Sequence, residues 1–452
     1  MSRAIPSGPG QAANAQARLK APAIDKMEAK LSKASRALNA SPIQEISHLA
    51  QRCGAINLAE GFPDFPAPPQ VKHAAVAAIA ADLNQYRHVQ GICDLLAVKM
   101  KQNHVLDFDP LTDFVICCGQ SEAFAATILA TIDQGDEVLI FDPAYETYES
   151  CIILAGGIPL ELRISQVYVP LDPPYWTLNV DKFMRSFTGR TKAVVLNRSL
   201  NEEKIGCIKE TNYNSYSPHN PTGKVFSKEE LEVIAAACCQ MDCLAITDEV
   251  YEYITFDTHK HLSIASLPMM KERTIITSSL SKTFSVTGWR IGWACAPTAI
   301  ASAIRNIHIK ITDSAPAPFQ EAALAALQSP PEYFSSLKAD YVARRDFLIK
   351  MLSEVGFQVH NKPQGSVFIF AELPKTCLLC DVSELSPATF PFIDFVKELI
   401  EKAGVAAVPG RGFFHGDCND LTQQSRYVRF AFCKSNDTLS AADQKMRSCV
   451  GK

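Results

Sequence analysis

Several residues stand where their types and spacing suit one chemistry. Gly119-Gln120-Ser121 is a glycine turn at the head of an apolar helical stretch, a place where backbone N–H groups hold an anion. Tyr145 follows Asp142-Pro143-Ala144 and offers an aromatic face. Asn220 lies in Ser217-Pro218-His219-Asn220-Pro221-Thr222-Gly223-Lys224, where flanking prolines stiffen the turn and fix the amide. Asp248 ends an apolar run, with Tyr251 three residues on. Ser279, Ser281, Lys282 and Arg290 then gather hydroxyls, an amine and a guanidinium in one short stretch. Each feature has an ordinary reading as a helix start, packed ring, turn residue or solvent-facing lysine. Together they meet a single set of needs. A phosphate asks for a helix N-terminus, hydroxyls and an arginine; an aldehyde asks for a lysine; a pyridine nitrogen asks for a carboxylate; a flat ring asks for an aromatic partner. These are the requirements of pyridoxal 5'-phosphate.

The elements that must position these residues follow from the hydrophobic pattern. Apolar runs at Phe114 to Cys118, Glu137 to Phe141, Ile158 to Arg163, Ala193 to Leu196, Cys243 to Thr247, Thr274 to Ser278 and Ile291 to Ala296 alternate with amphipathic stretches such as Ala123 to Ile132 and Lys228 to Met241. The alternation predicts an α/β fold, with a large domain built on a mostly parallel seven-stranded sheet between helices. In such sheets ligands sit outside the carboxyl ends of the strands, where the residues named above fall. After Pro330 a long helical segment, Tyr333 to Val355, and short strands near Phe368 and Val428 predict a smaller α+β domain. The expected division is a flexible tail over 1–40, an arm over 41–70 joining the small domain, a large domain over 71–325 and the small domain over 326–452. Ser41-Pro42-Ile43-Gln44 reads as an N-cap with proline at N1, followed by Ile43, Ile46 and Leu49 at helical spacing.

Composition narrows the function classes. The 452 residues are 47% hydrophobic and 20% charged, enough to bury an enzyme-sized core. A net charge of -4 lacks the basic excess of a nucleic-acid or anionic-membrane binder, and the longest charge-free apolar stretch, Ile291 to Ile304, is too short to cross a bilayer. Fifteen cysteines, an odd number with the adjacent pairs Cys117-Cys118 and Cys238-Cys239 in apolar runs, point to buried thiols in a reducing compartment. Cys377 to Cys380 has no second pair at zinc spacing and reads as a loop, so no metal is expected. The acid-poor segment before Asp25 reads as a tail of a cytoplasmic protein; a plastid or mitochondrial transit segment is the alternative.

The chain resembles the fold-type I, class I/II aminotransferases dependent on pyridoxal phosphate, and within them the kynurenine aminotransferase, glutamine transaminase K and cysteine-S-conjugate β-lyase branch. The blocks that carry the resemblance are INLAEGFPDFPAP (56–68), NQYRHVQG (84–91), GDEVLIFDPAYETY (135–148), SPHNPTGKVF (217–226), TDEVYEY (247–253), SSLSKTFSVTGWRIGW (278–293) and YVRFAF (427–432). The resemblance implies that Lys282 forms the Schiff base and shuttles the proton, that Asp248 pairs with the pyridine nitrogen, and that Tyr251 and Asn220 bond the phenolic oxygen. It implies a stack by Tyr145, a phosphate held by Gly119, Gln120, Ser121, Ser279, Ser281 and Arg290, and Tyr86 reaching across from the partner subunit of a homodimer. Arg429 corresponds to the clamp for the substrate carboxylate, with the Gly61 backbone and Asn220 beside it. No second arginine matches a side-chain carboxylate. The implied reaction transfers an amino group from an aromatic, sulfur-containing or related neutral amino acid to a 2-oxo acid; β-elimination from cysteine conjugates, or an aspartate- or prephenate-type transamination, are the alternatives. One departure stands out: Arg198 to Tyr216 interrupts the usual run from a strand like VVLN into SPHNPTG, and reads either as an inserted loop or as untranslated sequence left in a gene model.

Overall fold

The computed structural model describes residues 28–156, 165–197, 219–257, 261–373, 391–414 and 426–450. The insertion 198–216, the expected strand over 158–163 and the Cys377–Cys380 pair lie outside them.

Uniformly apolar runs form the central sheet. Its strands are β2 (Phe114–Cys117), β3 (Glu137–Asp142), β4 (Ser165–Asp172), β5 (Thr177–Leu178), β6 (Thr191–Asn197), β7 (Leu244–Asp248), β8 (Thr274–Ser279) and β9 (Gly292–Cys295), ordered β2-β9-β8-β7-β6-β3-β4-β5. Strands β8, β7, β6, β3 and β4 pair in parallel, whereas β9 runs against both neighbours. Its reversal follows from the Leu280–Ile291 connection, which holds a 3-10 turn (Thr287–Trp289) and no crossover helix. Side chains alternate between the faces. Leu139, Phe141, Val194 and Leu196 enter one apolar core, and Val138, Ile140, Ala193 and Val195 enter the opposite one, so both faces are buried.

Among the described residues the sheet has eight strands where seven were expected, six of them at expected runs. The two strands that match no expected run are β4 and its two-residue hairpin partner β5, paired Leu171↔Leu178 and Asp172↔Thr177. In Ser165–Asp172 apolar residues alternate with polar ones and Pro170 sits within the run. That is the pattern of a strand near a sheet edge, which a search for continuous apolar runs passes over.

Helices sit between strands as patterned. Gln120–Thr131 follows β2, and Lys228–Gln240 opens on a capping box from Ser227 to Glu230. Pro42–Cys53 starts on Ser41, whose hydroxyl accepts from Gln44 N at 3.3 Å, and ends on Gly54 at φ 61°. A five-residue helix, Lys33–Ala37, lies ahead of the start expected at Ser41. The long helix after Pro330 spans Pro331–Glu354.

A second, antiparallel sheet orders β10 (Phe368–Glu372), β13 (Tyr427–Ala431) and β12 (Val408–Pro409). The N-terminal segment joins this part of the chain, because β1 (Ile56–Asn57) pairs in parallel with β11 (Val405–Ala406), and Ala431 N donates to Leu58 O at 2.7 Å. Among the described residues no helix is long and apolar enough to cross a membrane.

Candidate active site

All the strand-tip residues expected to act together fall at one edge of the central sheet. A cavity of about 250 Å³ there is lined by Gly61, Gln120, Ser121, Tyr145, Asn220, Asp248, Tyr251, Ser279, Ser281, Lys282, Arg290 and Arg429. Gly119 lies directly behind it, as the N-cap of the helix Gln120–Thr131. Tyr86 does not share this cavity. It is 78% exposed and borders a separate hollow with Arg87 and Arg305.

Asp248 is the last residue of β7 and is 4% exposed. Its Oδ2 accepts from the Tyr148 hydroxyl at 2.7 Å and from Asn197 Nδ2 at 3.3 Å, and its Oδ1 from Val250 N at 3.2 Å. Burial raises the carboxyl to about 6, against the pull of these donors and of Lys282. Lys282 projects from the turn after β8 and donates from Nζ to Gly61 O at 2.7 Å. Burial lowers its ammonium below the usual lysine range, and the charge of Arg429 adds to the effect.

The glycine turn and Arg290 are built as one piece. Gly119 has φ 81° and Gly292 packs so closely on it that a Cβ at Gly292 would lie 2.4 Å from the Gly119 carbonyl carbon. Arg290, itself left-handed at φ 54°, donates from Nη1 to Thr287 O at 2.8 Å and from Nη2 to Cys118 O at 3.3 Å. A guanidinium, the first N–H groups of a twelve-residue helix and the hydroxyl-bearing tip of β8 therefore converge on one spot. At the opposite end, Arg429 on β13 is 1% exposed, and burial lowers it to about 10. Its Nη1 donates to Asn220 Oδ1 and its Nη2 to Ala59 O, both at 2.9 Å, while Nε meets no partner among the described residues. The Phe368 ring lies 4.0 Å below it.

Three residues that the sequence did not flag belong to the site. Tyr148 and Asn197 hold Asp248, with Asn197 Nδ2 also 2.5 Å from the Tyr148 hydroxyl, and Asn197 Oδ1 accepts from Asn220 N at 2.9 Å. Phe368 forms part of the cavity wall. A signal was present for the first two: Asn197 ends an apolar strand as Asp248 does, and Tyr148 lies one helical turn after Tyr145.

The described geometry fits pyridoxal phosphate. It offers a buried carboxylate for a ring nitrogen, an amine for an aldehyde and a glycine cradle that any Cβ at 119 or 292 would fill. Comparisons with known proteins agree. The family model for aminotransferase class I and II matches residues 54–442. The chain is 36% identical over 411 residues to a probable N-succinyldiaminopimelate aminotransferase of Mycobacterium tuberculosis, covering 89% of this chain and 94% of that one. It is 33% identical to the Homo sapiens kynurenine–oxoglutarate transaminase 1, covering 90% and 95%. The solved N-succinyldiaminopimelate aminotransferase of Mycobacterium tuberculosis superposes with a TM-score of 0.80 at 34% identity, covering 93% of this chain and all of that one. A methionine aminotransferase of Escherichia coli superposes at 0.78 and 29%, covering 92% and 99%. With its cavity, its strand-tip residues and its relatives in accord, the chain belongs to the class I and II aminotransferases, enzymes that depend on pyridoxal phosphate and exchange amino groups between amino acids and 2-oxo acids.

Proposed function

We propose that the enzyme takes its amino group from a neutral amino acid with an aromatic, sulfur-containing or amide side chain, of the kynurenine, glutamine, methionine or phenylalanine type. The observation that carries this reading is the distribution of cations. Among the described residues lining the cavity the guanidiniums are Arg290, bonded into the glycine turn, and Arg429, while Ile43, Phe62, Tyr145 and Phe368 make much of the remaining wall. Arg429 suffices for the α-carboxylate, which every amino acid carries. An acidic side chain would then meet apolar wall and the Glu60 carboxyl, and be left unpaired.

Residue roles follow the same reading. Gly119, Gln120, Ser121, Ser279, Ser281 and Arg290 would hold the phosphate, with Tyr86 of a second copy reaching it in a homodimer. Tyr145 would cover the ring, Tyr251 and Asn220 would bond its phenolic oxygen, and ionised Asp248 would pair with its nitrogen. When bound, the cofactor supplies an aldehyde that condenses with amines and a ring that draws electrons from the substrate Cα. Lys282, whose neutral amine burial favours over the ammonium, would take the proton from that Cα onto Nζ. Arg429 and the Gly61 backbone fix which face of Cα meets Lys282. The division into a 71–325 large domain and a 326–452 small domain, with 41–70 as an arm, belongs to this reading.

A donor panel tests it. Purified enzyme is assayed with L-kynurenine, L-glutamine, L-methionine, L-phenylalanine, L-aspartate and N-succinyl-L,L-diaminopimelate against 2-oxoglutarate and pyruvate. The expected order places the neutral donors at least tenfold ahead in kcat/KM, the scale of one unpaired buried charge. Faster turnover of aspartate or of N-succinyldiaminopimelate overturns the assignment.

A further inference from the structure

Behind the strand tip that carries Asp248 lies a buried cluster that the reaction does not use. His104 ends the helix Gln90–His104, Glu252 follows Tyr251, and His261 opens the next described segment. One ligand atom from each of these three residues lies within 4.8 Å of the other two. The imidazoles meet edge to face, with centroids 5.1 Å apart. His104 is 6% exposed, and its Nδ1 has no hydrogen-bond partner among the described residues.

The surroundings orient the second imidazole. Glu249 accepts from His261 Nε2 at 2.7 Å, from Ser263 Oγ at 2.8 Å and from Thr247 Oγ1 at 3.0 Å. A carboxylate held by two hydroxyls and bonded to Nε2 fixes the His261 tautomer with its proton on that nitrogen and its lone pair on Nδ1. This is the arrangement by which proteins prepare a histidine for a metal. Glu252 is partly buried and completes the group.

We propose that His104, His261 and Glu252 bind a divalent metal ion, with Glu249 bracing His261, and that the ion is zinc. Two imidazoles and one carboxylate are a nitrogen–oxygen set that zinc accepts with a fourth position open, at bond lengths of about 2.1 Å. Glu252 has the rotatable bonds needed to close the shell. The ion would tie the end of one helix to the chain that follows the Asp248–Tyr251 turn, and so act as a structural clasp. The other compact group, Cys117 with Glu122 and His308, differs in being closed: Glu122 already accepts from Thr312 and the Cys118 N–H and is bonded to His308.

The test uses holoenzyme dialysed against a chelator and then reloaded with zinc chloride. Metal content by mass spectrometry is expected at about one zinc per chain, with a raised melting midpoint, because a ligand bound only by the folded state stabilises it. His104→Phe, which keeps a ring in the same space, is expected to lose the zinc and the midpoint shift while keeping the visible absorbance of bound pyridoxal phosphate. Glu252→Gln, nearly the same size, is expected to bind zinc at least tenfold more weakly and covers the case in which His104→Phe misfolds. A wild-type enzyme that takes up no stoichiometric zinc overturns the proposal, as do variants that bind as much zinc as wild type.

Discussion

Replacing Tyr148 by Phe removes one hydroxyl, and the network around Asp248 sets what that must do. Tyr148 donates to Asp248 Oδ2 at 2.7 Å inside a fully buried site, and the remaining donors, Asn197 at 3.3 Å and Val250 N at 3.2 Å, are longer. A hydrogen bond to a charged group contributes about 1.5 to 3 kcal/mol. At about 1.36 kcal/mol per pKa unit, its loss raises Asp248 by about one to two units. Asn197 Nδ2, freed from the Tyr148 oxygen, can turn fully to the carboxylate and recover part of this, so a shift of about one unit is expected. In its proposed role Asp248 pairs with the ring nitrogen only when ionised. The acid limb of the pH profile of kcat/KM should therefore move up by about one unit, with activity near neutral pH falling about twofold and the alkaline limb staying in place. The assay follows the donor half-reaction by its visible absorbance from acid to alkaline pH, for wild type and Tyr148→Phe matched in cofactor content. An acid limb that moves by less than about 0.3 units would refute the claim that Tyr148 sets the ionisation of Asp248.

Cofactor-free enzyme should show the cost of burying Asp248 directly. Its folded value of about 6 lies above the ordinary 3.8, so the folded state binds the extra proton, and stability falls as pH rises from about 4 through 6. Asp248→Asn should remove that decline from the melting-midpoint profile, and identical profiles for the two proteins would count against it. Gly119→Ala places a Cβ 2.3 Å from Arg290 Nη2 at φ 81°, where L-residues are strained. Cofactor titration should give affinity weaker by at least about tenfold, and unchanged affinity would show that the turn does not touch the phosphate. Lys282→Ala should abolish turnover while the melting midpoint of the cofactor-free protein holds or rises, since a buried amine is removed; retained turnover would assign the proton transfer elsewhere.

The sequence made the strand-tip residues legible because a parallel sheet converts separate strand ends into one surface. Lys282, Asp248, Asn220 and Tyr145 needed only the rule that ligands sit at carboxyl ends. Tyr148 and Asn197 required more. Asn197 reaches Asp248 because β6 and β7 pair in a register that sets those two residues side by side, and nothing in either strand alone fixes that register. The His104, Glu252 and His261 group was illegible for the same reason: none of its spacings is a metal motif, and only packing of a helix end against a strand tip assembles it. The strand β4 was hidden by its own alternation, since a half-buried edge carries polar residues that a fully buried strand does not.

Arg429 shows how register becomes specificity. It sits opposite Phe370 on β10 and Val408 on β12, so antiparallel pairing on both sides fixes its height along β13. That height brings Nη1 to Asn220 and Nη2 to Ala59, joining the second sheet, the turn that follows the insertion and the N-terminal segment at one guanidinium. Its remaining donor, Nε, is buried without a partner, between Phe368 and Phe413 rings 4.0 and 4.6 Å from the guanidinium carbon. A buried cation with one unmet donor is unfavourable alone, and an incoming carboxylate relieves both the charge and the donor at once. The fork is planar and held by two bonds, so a carboxylate could be met in few orientations, and in the proposed roles Cα would be turned toward Lys282 before any bond changes. A lysine at 429 would keep the charge and lose this directionality, because its ammonium is a point donor on a flexible stem. In the proposed roles, the amino-acid end of the site would thus select first for an α-carboxylate and its angle, and leave the choice among side chains to the apolar wall beside it.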